Sequence, residues 1–207
     1  NAASGGGSIS IQAPSSSSNN RVISLPDIAD GTLLTSQSSL DSTKLSPAIT
    51  GGKILQVVST TTTSVSSVSV ATGAFATLGP TVTITPSSSS NKVLITSAIE
   101  VSCEIQANHD YRLIANNSLI TAALGDAAGS RKQATGTNES YHTESSALLS
   151  INFLHSANTT SAVTYSIQVS HSSTSTRTIY CNRSGHDGNE AKLARYTSTI
   201  TAMEVAA

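Results

Sequence analysis

The residues able to do chemistry in this chain are few and scattered. Its histidines are His109, His142, His155, His171 and His186. No two stand at an H-x-H or H-E-x-x-H spacing, so no pair is set to ligate a metal from one element. A metal held across an oligomer axis, with one histidine from each copy, is the remaining metal reading. Solvated loop histidines are the plainer one. His186-Asp187-Gly188-Asn189-Glu190 is the densest oxygen cluster. It lacks the alternating Asp/Asn spacing and glycine position of a calcium loop. It therefore reads as a hairpin turn with Asp187-Gly188 or Gly188-Asn189 at its tip.

Serine is abundant, but no G-x-S-x-G elbow is present. In so Ser-rich a chain, a loose Ser/His/Asp template matches by chance. Hydrolysis of a glycan needs two carboxylates facing each other in a cleft. Glu100, Glu104, Asp110, Asp126, Glu139, Glu144 and Asp187 supply carboxylates, with no spacing that pairs them. The repeated coils of a β-helical tailspike enzyme are missing as well. The expectation is a non-enzymatic protein with no catalytic, cofactor-binding or metal-ligating residue. Asn116, Asn138, Asn158 and Asn182 each open an N-x-[ST] triplet, which this much Ser and Thr produces by chance.

The elements that would position any site are strands. Val163, Tyr165, Ile167 and Val169 alternate with Thr164, Ser166 and Gln168, the period of a half-buried strand. Ala147 to Phe153 alternates too, but Leu148 and Leu154 fall on its other face, which predicts burial on both sides. Thr81 to Thr85, Lys92 to Ile105, Leu55 to Thr60, Tyr111 to Ala115, Thr176 to Asn182 and Tyr196 to Val205 complete the set. Lys92 to Ile105 is long enough to predict a bend or bulge. Short strands punctuated by Ser, Gly, Asn and Pro predict an all-β fold, an antiparallel β-sandwich of jelly-roll-like form. Cys103 and Cys181 fall on apolar strand faces, as small buried hydrophobes or as a bridge between neighbouring strands.

Residues 1–50 read as a separate N-terminal attachment or shaft segment with a linker, and 51–207 as the sandwich. Ser8 to Ala13 and Arg21 to Leu25 look like short strands, and Pro47 and Gly51-Gly52 mark the boundary. The chain opens on Asn1 rather than Met, so residues upstream are allowed for. Pro14-Ser-Ser-Ser-Ser-Asn19 recurs as Pro86-Ser-Ser-Ser-Ser-Asn91, two loops built from the same turn formers. Aromatic residues are only 3%, too few for a dense single-chain core, so neighbouring copies are expected to complete it. A net charge of −1 with no basic stripe gives nucleic acid nothing to bind. No apolar run reaches the length of a membrane span, so no membrane insertion is expected.

Two segments carry a family resemblance. Ile9 to Thr35 (ISIQAPSSSSNNRVISLPDIADGTLLT) resembles a unit of tail-fibre and tail-fibre-like proteins: strand, Ala-Pro loop, Asn-Arg, strand, Leu-Pro-Asp, Gly-Thr-Leu. Gly51 to Val58 (GGKILQVV), Thr81 to Leu94 (TVTITPSSSSNKVL), Asn158 to Val169 (NTTSAVTYSIQV) and Ser198 to Val205 (STITAMEV) follow in order. They resemble the C-terminal β-sandwich domain of virion structural proteins from marine and cyanobacterial phages. Together the segments span most of the chain, and Asn108 to Glu144 has no counterpart in them.

The resemblance implies a homotrimer on the surface of the virion, an extracellular particle. It implies a tail fibre or fibre-like protein that touches a host-surface glycan or protein. Asn108 to Glu144 and Ser172 to Asn189 would be its distal loops. A trimeric capsid decoration protein that stabilises the phage head is the alternative. In both, residues 1–50 hold other virion proteins. A glycan-degrading tailspike enzyme and a bacterial adhesin module are the readings from other classes.

Overall fold

The computed structural model describes residues 53–207. The chain divides between Ile49 and Thr50, and the strands expected within residues 1–50 lie outside the described residues. The strands are β1 (Ile54–Thr62), β2 (Ser66–Val70), β3 (Ala76–Thr77), β4 (Val82–Ile84), β5 (Lys92–Cys103) and β6 (Ala107–Ala115). They continue as β7 (Ser118–Leu119), β8 (Gly136–Ser140), β9 (Ala147–His155), β10 (Val163–Val169), β11 (Arg177–Cys181) and β12 (Ser198–Val205). Period-two patterning sets their faces. In β5, Val93, Ile95, Ile99 and Val101 point inward while Leu94, Thr96, Ala98 and Glu100 point outward.

Register gives the topology. Residues of β5 pair with β12 on one side and with β9 on the other, since Ile95 faces both Ala202 and Phe153. β11 continues the β12 side, with Ile179 opposite Cys103. β1 flanks β12 and β2 flanks β11, so β1 with β2, and β11 with β12, are each one broken row. In the second sheet Tyr165 of β10 pairs with both Val82 and Ala115, which places β4 and β6 on opposite sides. β3 extends the β4 row, and β7 and β8 together form the row beyond β6. Counted in sequence order, the described residues form eight rows. The first sheet orders them first, eighth, third, sixth; the second orders them second, seventh, fourth, fifth. Every pairing is antiparallel, and this is the double Greek-key order of a jelly roll. The expected antiparallel β-sandwich is therefore present, in its jelly-roll form.

Between the sheets lie Ile84, Ile95, Ile99, Leu113, Leu149, Tyr165, Ile167, Ile179 and Ile200, all essentially without solvent exposure. Each buried side chain of this kind stabilises the fold by roughly 1.5–3 kcal/mol. Gly79, in the turn between β3 and β4, holds φ +88 with the Ile99 side chain 3.1 Å from where a Cβ would stand. Both demands select glycine there.

A polar knot closes the break in the last row. Asn182 stands at φ 64, the left-handed region that asparagine tolerates better than most residues. Its Nδ2 donates to Thr62 O at 2.9 Å and to Ser64 O at 3.0 Å. Its Oδ1 accepts from Ser198 Oγ at 2.6 Å, and Ser198 Oγ in turn accepts the Glu100 N–H at 3.0 Å. One buried amide thus ties the first, third and eighth rows together. A second knot sits at the far end of β12. Glu204, 2% exposed, accepts from the Ser87 backbone N–H, Ser87 Oγ and Asn91 Nδ2, each at 2.7 Å. Burial pushes its carboxyl up, but these bonds outweigh that and hold it below the usual range. The Ser-rich loop after Pro86 is therefore a shaped clasp around one carboxylate.

Several expectations need correction. β9 is not buried on both sides: it is an edge row, and Leu148 and Leu154 face out at 45% exposure each. The bulge expected in β5 is absent from its pairing with β9 over 93–101 and with β12 over 92–98. The bulge falls instead in β1, between Ile54 and Gln56. Asn108 to Glu144 and Ser172 to Asn189 are not simply distal loops, since they contain most of β6, with β7 and β8, and all of β11. Cys103 and Cys181 are buried free thiols on neighbouring strands. They stand diagonally, with Cys181 opposite Val101 and Cys103 opposite Ile179.

Replacing Asn182 by Ala removes the amide bonded to the Thr62 and Ser64 carbonyls and to the Ser198 hydroxyl, and puts at positive φ a residue that tolerates it less well than asparagine. The expected loss is about 3 kcal/mol of unfolding free energy, measured by urea titration. Amide exchange should accelerate at Glu100 and Tyr196 before it does in β10.

Candidate interaction surface

The structure disperses the candidate chemistry. His109 and His171, expected on solvated loops, are enclosed, at 0% and 1% exposure. The inward alternation of β6 carries His109 into the sandwich, where its Nε2 lies 2.9 Å from Ser140 Oγ. Its Nδ1 is buried with no hydrogen-bond partner. Burial, the nearby His171 and, in the opposite sense, Asp110 bring its pKa down to about 4. His171 is a tie between the sheets. Its Nε2 donates to Val70 O at 2.8 Å, and its Nδ1 accepts the Ser173 N–H at 3.1 Å. Ser140 is as enclosed as His109, so the pair cannot meet a substrate and serves packing. His155 bonds Tyr165 Oη through Nδ1 at 2.8 Å. Burial lowers its pKa and raises that of Tyr165 to about 12.

The 183–195 excursion between β11 and β12 gathers the surface charges. Asp187 takes Arg195 at 2.6 Å and Arg183 at 3.5 Å, and Arg183 lies 3.5 Å above the Tyr180 ring. Glu190 and Glu144 share Lys192, and His186 lies 3.3 Å from Glu190. Every carboxylate here already has a cationic partner. No grouping of three or more His, Cys, Asp or Glu set to hold a metal occurs among the described residues. The turn expected at Gly188 falls instead at 191–192, where Leu193 N–H bonds Glu190 O at 3.0 Å. Gly185 is pressed against Cys103 O and His186 N–H bonds Thr143 O, so the loop is anchored before Gly188 is reached. Three of the N-x-[ST] asparagines, Asn116, Asn158 and Asn182, hold positive φ, which supplies a backbone reason for Asn at each.

The distinctive surface is apolar, and alternation alone did not flag it. On the outward face of the first sheet, Val57 pairs with Met203, Met203 with Leu94, and Leu94 with Leu154. Four aliphatic side chains thus cross the sheet from edge to edge. Val57 is 58% exposed and Leu154 45%. Ile54 and Leu55 extend the band at the β1 edge. Beside it runs a row of small residues, Thr61, Thr199, Ala98 and Ser150, with Ser59, Thr201, Thr96 and Asn152 between the two. The small row leaves a shallow hollow of about 260 Å³ floored by Thr96, Ala98, Thr199 and Thr201. Past Leu154 the two sheets splay into a cleft of about 420 Å³ lined by Leu119, Ile120, Phe153 and His155. The signal in the sequence was present: Leu94, Leu154 and Met203 each stand next to outward Thr or Asn on their own strands, at Thr96, Asn152 and Thr201.

No protein-family model matches the chain, and no curated protein matches it. Among solved structures, the chain is similar to the VP2 subviral particle of infectious bursal disease virus at 14% identity, with a TM-score of 0.31. The match covers 73% of this chain and 38% of that one, so this chain spans well under half of that protein's length.

The buried histidines set a pH dependence. The folded-state pKa of His109 is about 4, against about 6.5 in an unfolded chain. Between those values the unfolded chain binds more protons, so stability falls as pH drops through that window. The loss from His109 is roughly 3 kcal/mol by pH 4, and His155 adds to it in the same sense. Urea titrations at pH 7 and pH 4.5 should show the drop, and His109→Gln should remove most of it.

Proposed function

We propose that the protein is a non-enzymatic virion surface protein that assembles with copies of itself and makes attachment contacts. The observation that carries this reading is the bare aliphatic band across one face of the sandwich. Soluble single-copy proteins rarely leave so continuous an apolar strip in water. Jelly rolls serve capsids and lectins among other uses, so the fold is compatible with this role without fixing it. The likeness of the strand segments to phage virion proteins points to a particle surface and to three copies. The working part is a contact surface: His109 and Ser140 are enclosed, and Asp187 and Glu190 are already paired. Tail-fibre attachment is the first choice within this reading, with residues 1–50 holding the rest of the particle.

Sedimentation of the full chain should return a mass that is a whole multiple of three copies of 21.1 kDa. Quantitative mass spectrometry of purified particles should find a few copies in each. Hundreds of copies would make it a head decoration protein instead. A stable single copy that is missing from particles would replace this reading with a single-chain adhesin or glycan-binding module.

A further inference from the structure

We infer that the outward face of the first sheet is a two-fold contact with a second copy of this chain. This rests on the assembly reading above and says which surface meets which. The face has a ridge, the Val57–Met203–Leu94–Leu154 row, and a row of smaller residues, Thr61, Thr199, Ala98 and Ser150, whose central Thr199 and Ala98 lie in a hollow shared with Thr96 and Thr201. Between them runs the row through Ser59, Thr201, Thr96 and Asn152. Leu94 and Ala98 stand equally far from Thr96 on opposite sides. A two-fold axis lying along that middle row, between two facing copies, keeps each strand over its counterpart and reverses its direction. The ridge of each copy then lies over the small-residue row of the other: Leu94 over Ala98 and Met203 over Thr199, at the hollow, and Leu154 over Ser150. Such a contact is isologous and closes on itself.

Charge selects the same axis. Among the outward positions of β1, β5, β9 and β12, only Lys92 and Glu100 carry charge. They too are equidistant from Thr96, so the same axis sets each opposite the other's counterpart. Neither makes an ion pair within its own copy among the described residues. Glu100 is held in place by a 2.7 Å bond from Ser146 Oγ. Within one copy the two charges are about 27 Å apart along the strand, too far to interact.

The area suffices. Eight residues of strand by four rows give a face of about 27 Å by 19 Å, roughly 500 Å² for each copy. Two copies would bury about 1,000 Å², the lower limit for a specific contact. The pairing holds whether the partners are single copies or copies already grouped in threes.

The test is charge reversal and its rescue, on the full chain. Lys92→Glu, Glu100→Lys and the double variant are sedimented over a concentration series at low salt, with circular dichroism to confirm folding. The expected wild-type mass is an even number of copies. Either single reversal should weaken pairing roughly tenfold, and the double variant should recover it. Leu94→Lys, on the outward face, should halve the mass while leaving the fold intact. An association that none of these variants changes would overturn this face and leave the assembly reading standing. A double variant no better than the singles would overturn the axis. A single-copy mass at every concentration would overturn both, and would leave the band to another virion protein.

Discussion

The jelly roll depends on how the chain handles one interruption. Its last row must run beside both the first and the third, yet sixteen residues, 182–197, leave that row between Cys181 and Ser198. Asn182 makes this tolerable. Its left-handed backbone turns the chain out, and its N–H bonds Glu100 O at 3.1 Å. The same residue's carbonyl takes the Tyr196 N–H at 3.1 Å as the chain returns. Its amide meanwhile occupies the carbonyls at the bend between β1 and β2. A buried polar group is costly when unpaired and specific when fully paired. Here it fixes where three rows align, and every inward position of β5 and β12 follows from that alignment.

The same logic runs through a structure poor in large side chains. Among the described residues, no Phe and no Tyr other than Tyr165 is among the largest fully buried side chains. Small β-branched residues bury less area each, so backbone pairing and hydroxyl ladders carry more of the specificity. Ser59 with Thr201, Thr61 with Thr199, and Thr83 with Thr164 bond side chain to side chain across strands at 2.8–2.9 Å. These cross-strand pairs add little energy singly. They do penalise a register slip, which would strand the hydroxyls and turn Ile200 and Ala202 outward.

Much of this was legible in the sequence. The strict alternation of β10 gave its ends to the residue, and β1, β5, β11 and β12 were placed within a few. β2 and β8 were not, because SSVSV and GTNES carry too little apolar contrast; pairing with β11 and β6 makes them strands. His109 precedes the apolar run that marks a strand from Tyr111, so its polar type suggests a loop; the strand begins four residues earlier, and alternation with Ala107 and Tyr111 turns His109 inward. The face-wide apolar band was invisible for a different reason. Its members come from four rows distant in sequence, and only the register of β1, β12, β5 and β9 lines them up.

That register also exposes an inversion. Positions inside the sandwich hold His109, Asn182, Ser198 and Glu204, while positions outside hold Val57, Leu94, Leu154 and Met203. Replacing the first set with aliphatics would enlarge the core, and replacing the second with polar residues would make a quieter surface. The chain does neither. The inner polar groups fix geometry at some cost in single-copy stability. The outer aliphatics gain nothing until something covers them. The combination makes the folded copy accurate rather than maximally stable, and in the proposed pairing it moves part of the hydrophobic stabilisation from folding to association. A surface protein whose final state is an assembly can draw on that reserve, whereas a protein that works alone would carry the same band only as an aggregation hazard.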